Sequence, residues 1–175
     1  MDIFVISMSD ADNIRPELLE EFRHKEFKNK AKQIEHCFSY LMTDRILREV
    51  YKIENREIDF VKGKPYLKTR EKFFSISHSG EYVVLAFSDK ECGVDIEKIK
   101  NRDIESIAER MNFACENQEE FYKSWTKYEA EYKLGGKPSA LMYQEFRGYM
   151  ICATSSDSQE AFEIYIQNGE KFPNL

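Results

Sequence analysis

Residues 73–77 and 82–88 are two short runs rich in Phe, Ile, Val and Tyr, and only His78-Ser79-Gly80-Glu81 separates them. Four residues cannot hold the crossover that parallel neighbours need, so the two runs read as an antiparallel hairpin around a tight turn. Residues 16–51 read as helical. They are polar and lysine-rich at first (Lys25, Lys28, Lys30, Lys32), then apolar at helical spacing (Phe38, Leu41, Met42, Ile46, Leu47, Val50). Residues 118–134 read as a second strong helix, closed by Gly135-Gly136, because glycine tolerates the left-handed conformation at a helix end. Residues 3–7, 57–61, 92–97, 149–154 and 161–166 have strand character, and Gly63-Lys64-Pro65 reads as a turn. Residues 103–111 read as a short helix with Asp103 as its N-cap. Strand, helix and strands thus occur in each half. The expected fold class is α+β: two similar, pseudo-symmetric α/β lobes, residues 1–90 and 91–175, with antiparallel strands packed on helices.

Charge narrows the function. Twenty-six Lys and Arg against 32 Asp and Glu leave a net charge of −6, which argues against general nucleic-acid binding. A small anionic ligand held by a local lysine cluster remains compatible with that balance. Cys37, Cys92, Cys115 and Cys152 are scattered and form no CxxC pair, so they read as reduced thiols. No apolar run approaches the roughly 20 residues that a membrane-spanning helix requires, and the N-terminus has no signal-peptide pattern. The expected address is the cytoplasm, with no membrane partner.

In Gly93-Val94-Asp95-Ile96-Glu97, strand alternation sends Val94 and Ile96 to one face and Asp95 and Glu97 to the other. Two same-face carboxylates repel unless a cation lies between them, and Mg²⁺ suits carboxylates that share it with phosphates and water. A solvated acidic edge is the plain alternative. On the helix, Trp125, Glu129 and Lys133 fall at i, i+4 and i+8 and make one stripe: an aromatic anchor, a carboxylate and an ammonium. An exposed Glu–Lys pair would look the same. His78, at the end of Phe74-Ser75-Ile76-Ser77-His78-Ser79-Gly80, can donate to an anion, and Lys64 sits beside a stiffening Pro65.

The order GKPYL, FSISHSG, GVDIE and WTKYEAEYK resembles the Sfp-type 4′-phosphopantetheinyl transferases, from about Lys28 to Lys133, with an echo in Gly148-Tyr149-Met150-Ile151-Cys152-Ala153. That resemblance implies transfer of the 4′-phosphopantetheine arm of coenzyme A to a serine of an apo acyl or peptidyl carrier, releasing 3′,5′-ADP. It implies Mg²⁺ on Asp95, Glu97 and Glu129, with coenzyme A and Mg²⁺ at the interface of the two lobes. Lys64, Pro65, Ser77, His78 and Lys133 would bind coenzyme A, and Glu129, Lys133 and Glu97 would serve catalysis. Glu129 is the first candidate base and Glu97 the second. The chain has Tyr128 where the family usually has a basic residue, and Ser39 where its first helix tends to carry Arg. A nucleotide phosphohydrolase and a non-catalytic binder of coenzyme A or carrier are the alternatives weighed. The carrier would serve fatty-acid, polyketide or peptide synthesis, and two lobes in one chain suggest a monomer.

Overall fold

A computed structural model describes residues 1–101 and 103–167, so residues 168–175 of the expected second lobe lie outside the described residues. Strand β1 (Asp2–Ser7) leads through a 3₁₀ turn (Met8–Asn13) into α1 (Pro16–Glu20) and α2 (Lys30–Glu49). A ribbon of β2 (Ile58–Val61) and β3 (Lys64–Leu67) precedes the hairpin of β4 (Phe73–Ser79) and β5 (Tyr82–Ser88). Then come β6 (Cys92–Lys98), α3 (Glu105–Met111), α4 (Gln118–Leu134), β7 (Ala140–Phe146), β8 (Tyr149–Ser155) and β9 (Glu163–Gln167). One sheet has the order β4-β5-β1-β9 and the other β6-β8-β7. The fold is α+β, and among the described residues the strand pairs are antiparallel except β1 with β9, which run parallel.

Period-2 alternation in β1 and β5 divides the core into layers. Phe4, Ile6, Val83, Leu85 and Phe87 face Phe38, Leu41, Ile46 and Leu47 of α2. Their neighbours Ile3, Val5, Val84 and Ala86 face Val94, Ile96, Ile151 and Ala153 of the second sheet. The far side of that sheet meets α4 and α3 through Met150, Phe121, Tyr122 and Ala108. The order is therefore helix, sheet, sheet, helix. It explains why β5 and β8 are buried along their whole length. Among the described residues no helix is long and apolar enough to cross a membrane.

Several expectations need correction. The helix read over 16–51 is broken: residues 21–29 are irregular, and α2 starts after Asn29, whose Oδ1 accepts the N–H groups of Ala31 and Lys32. The segment packs isolated aromatics, Phe22 on the core and Phe27 on His36, instead of a continuous apolar stripe, and Asn29 offers the competing cap. Lys64 and Pro65 open β3 instead of forming a turn, because Lys62 and Gly63, with φ of 51° and 83°, make the reversal. His78 and Ser79 continue β4, and Gly80-Glu81 alone forms the turn. Strand β7 occupies a stretch to which the sequence pattern assigns no element; it is a half-exposed edge whose alternation is blurred. Asp103 sits one residue before the geometric N-cap, yet its carboxylate accepts the Glu105 N–H and the Ser106 hydroxyl. The four cysteines are free thiols.

Gly93 seats α4 on β6. A Cβ there would lie 2.0 Å from the Ala130 carbonyl oxygen and 2.8 Å from the Leu134 nitrogen, both backbone atoms of α4. Thr154 bridges the same contact, its hydroxyl reaching the carbonyls of Gly93 and Ala130. Gly93→Ala therefore pushes the helix off the strand. Overpacking of this kind costs about 1–3 kcal/mol, and each kcal/mol is about 2–4 °C for a chain of this size. The expected result is a melting midpoint lowered by about 2–12 °C in a thermal unfolding scan.

Candidate functional site

Strands β3, β4 and β6 and helices α2 and α4 converge on one cavity of about 870 Å³. Every residue expected at the site lines it: Lys64, Pro65, Ser77, His78, Asp95, Glu97, Glu129 and Lys133. The strand reading of β6 explains the carboxylates. Val94 and Ile96 are buried between the sheets, and Asp95 and Glu97 take the alternate face toward the cavity. Asp95 is less solvated than an open acidic face would be, with only 5% exposure.

Lys133 closes on Asp95. Its Nζ donates to Asp95 Oδ1 at 2.8 Å and to the Val94 carbonyl at 3.0 Å. The Ser77 hydroxyl donates to the same Oδ1 at 2.7 Å, and Oδ2 is buried without a protein partner. Glu97 accepts the Trp125 Nε1–H at 3.3 Å and the Ser79 hydroxyl at 3.2 Å. Glu129 is one turn before Lys133 on the same face of α4, so the stripe read from the sequence does face the cavity.

The other basic side chains also have partners. Lys64 Nζ donates to Glu91 at 2.6 Å and stands 4.8 Å from the Tyr66 ring centre. His78 Nδ1 lies 3.1 Å from Glu35 Oε1. Burial pushes the His78 imidazole below its usual pKa and Lys133 adds to that, while Glu35 and Asp95 oppose it. Lys127 pairs with Glu131 at 3.7 Å, and Tyr128 meets Phe113 edge-on, so neither takes part in the cavity wall. One helical residue turns about 100°, which separates both from the Trp125–Glu129–Lys133 face.

Sequence reasoning missed an aromatic and histidine corner. His36, Tyr40 and Val61 line the cavity, and behind them His24 packs against His36, Tyr40 and Phe60 at 6.2, 4.6 and 5.8 Å. Tyr132, 77% exposed, stands at the mouth. His36 and Tyr40 share a helix face at i and i+4, a visible signal. His24 joins them only because the chain folds back at residues 21–29.

The donor set fits a hard dication in type: two carboxylates of β6, a third from α4, and a buried Asp95 Oδ2 that lacks a partner. Among the described residues, however, no three His, Cys, Asp or Glu side chains converge on one ligating point. The Lys133 ammonium and the donors on Glu97 occupy oxygens that a cation would otherwise share.

Residues 13–90 match the model of a family described as 4′-phosphopantetheinyl transferase, N-terminal. The 4′-phosphopantetheinyl transferase psf-1 of Bacillus pumilus is 37% identical over 107 residues, covering 53% of this chain and 46% of that protein. The 4′-phosphopantetheinyl transferase Sfp of Bacillus subtilis is 30% identical over 154 residues, 76% of this chain and 65% of that protein. The corresponding enzyme gsp of Aneurinibacillus migulanus is 34% identical over 142 residues, 73% and 56% of the two chains. The chain thus spans from 46% to 65% of the length of these relatives.

The histidine corner predicts an acid-sensitive fold. Burial holds His24 below its usual value; burial, with His24, His78 and Lys25 adding to it, does the same for His36. A histidine depressed in the folded state stabilises above its unfolded pKa of 6.5, and that stability is lost as pH falls through the folded value. The melting midpoint is expected to be lower at about pH 5.5 than at about pH 7.5, and His36→Phe to narrow the difference.

Proposed function

The chain belongs to the 4′-phosphopantetheinyl transferase family, and from that premise we propose that it moves the 4′-phosphopantetheine arm of coenzyme A to a serine of an apo acyl or peptidyl carrier, releasing 3′,5′-ADP. The observation that carries this reading is the single cavity into which β3, β4, β6 and α4 bring lysines, a histidine and three carboxylates. Its volume of about 870 Å³ suits a ligand of nucleotide size.

In this reading Asp95, Glu97 and Glu129 hold Mg²⁺, which when bound neutralises charge on the pyrophosphate. Lys133 and Lys64 offer ammonium donors to phosphate oxygens, exchanging Asp95 and Glu91 for the ligand. Ser77, His78 and Pro65 line the wall against which the nucleotide end rests. The serine oxygen attacks the phosphorus bearing pantetheine, in line with the departing 3′,5′-ADP. Its proton passes to Glu129, or to Glu97 as the second choice. Positioning and charge stabilisation then account for most of the catalysis, as in other phosphoryl transfers. We also propose the two-lobe division near residue 90, with β9 returning to the sheet of the first lobe, a monomer, and a cytoplasmic address.

The test is the intact mass of a panel of apo carriers after incubation with coenzyme A and Mg²⁺. The expected result is a gain of one phosphopantetheine on at least one carrier, dependent on Mg²⁺. Glu129→Gln is expected to reduce the rate by about 10²–10⁴-fold, the usual contribution of a positioned base. Coenzyme A bound without transfer to any carrier would instead favour a binding protein. An acidic carrier is part of this reading, so an enzyme of net charge −6 needs a local basic surface. Reversing Lys25, Lys28 and Lys32 together is expected to raise the carrier KM at low salt. An unchanged KM would remove these lysines from the docking surface.

A further inference from the structure

Ser75, Ser77 and Ser79 stand at alternate positions of β4, so their side chains share one face. That face meets β6, a strand of the other sheet. β6 is an edge strand, paired with β8 on one side only. Its remaining N–H groups need acceptors, and the serines provide them. Val94, Ile96 and Lys98 donate to the hydroxyls of Ser75, Ser77 and Ser79 at 3.0, 3.3 and 3.1 Å.

A hydroxyl has one proton to give. Where a lone pair already accepts from a backbone N–H, the proton is free to turn to another acceptor. Ser77 gives its proton to Asp95 Oδ1 at 2.7 Å, and Ser79 gives its own to Glu97 Oε2 at 3.2 Å. Ser75 makes the same backbone contact but reaches neither carboxylate. Asp95 Oδ1 also accepts from Lys133, so two donors saturate it and Oδ2 is left as the buried oxygen without a protein partner.

We propose that Ser77 and Ser79 are positioning residues: Ser77 leaves Asp95 Oδ2 as the oxygen to face a divalent cation, and Ser79, together with Trp125, fixes the orientation of Glu97, while Ser75 serves only the joint between the sheets. The inference rests on reading Asp95 and Glu97 as cation ligands. Each serine reads the backbone of β6 with its lone pair and orients a carboxylate of the same strand with its proton. The alternation of the strand thereby becomes a fixed orientation of the carboxylates.

Partners that orient a metal ligand typically change metal affinity by about 10–100-fold when removed. The experiment titrates the purified protein with Mn²⁺ alone, reading the free ion by electron paramagnetic resonance, with thermal melting in parallel. Ser75→Ala and Ser77→Ala are both expected to lower the melting midpoint, since each leaves a β6 N–H without its acceptor. Only Ser77→Ala and Ser79→Ala are expected to weaken Mn²⁺ binding, by about tenfold or more. Ser77→Thr, which retains the hydroxyl, is expected to restore it. Ser79 lies nearer the strand end and provides the reading should Ser77→Ala fail to fold. Equal weakening by Ser75→Ala, or unchanged affinity in both Ser77→Ala and Ser79→Ala, overturns the positioning role. A wild-type protein that takes up no Mn²⁺ overturns the cation reading of Asp95 and Glu97 itself, a distinct result.

Discussion

The site depends on how the open edge of β6 meets β4. Apolar contact between the sheets, through Ile3, Val5, Val84, Val94 and Ile96, supplies attraction but little direction. Direction comes from the serine contacts, which tie Ser75 to Val94, Ser77 to Ile96 and Ser79 to Lys98, two residues apart each time. A slip of one residue would turn Asp95 and Glu97 into the apolar layer and Val94 and Ile96 toward the cavity. Burying two carboxylates among Ile and Val is prohibitive without partners. Hydrogen bonding and burial thus select the same register, and that register puts both acids on the cavity wall.

Helix α4 is the second fixed element. Its backbone comes close enough to β6 that only glycine fits at position 93, and the near approach brings Lys133 into reach of Asp95. The left-handed Gly135 ends the helix directly after this lysine turn, with φ of 89°. Trp125 performs the corresponding task a helix segment earlier, where its indole N–H meets Glu97. One face of one helix therefore contacts both carboxylates of the strand. Carboxylates at alternate positions of a strand face each other's repulsion along its length, and these two are relieved by donors from α4 and β4 together.

What could be read in the sequence follows from the range of the interactions. The boundaries of α4, the β4–β5 hairpin and the alternation in β6 are local matters of capping and periodicity, and the structure has them. The residues expected in the site do share one cavity, because short motifs carry them on regular elements. Pairings between distant segments were not legible. Strand β9 lies parallel to β1 across more than 150 residues, and nothing in either segment announces the other. The break at residues 21–29 and the edge strand β7 were hidden for a different reason: exposed, charged or mixed segments leave weak periodic signals. Ser75, Ser77 and Ser79 were in plain view as an alternating series, but their partners come from the other sheet.

The cavity carries its own counterions. Lys133 is held by Asp95 and Lys64 by Glu91, so the two ammonium charges on its wall are already compensated, and His78 lies against Glu35. A purely anionic ligand that drew the two lysines to itself would leave Asp95 and Glu91 without their cations. For Asp95, nearly sealed from water, that loss is severe, because a carboxylate stripped of its partner in such a place costs several kcal/mol. A ligand that brings both phosphates and a dication incurs no such penalty: the phosphates take the ammonium groups and the carboxylates take the metal. On the proposed reading, the same electrostatics that closes the cavity on itself would therefore favour a metal–pyrophosphate pair over the pyrophosphate alone.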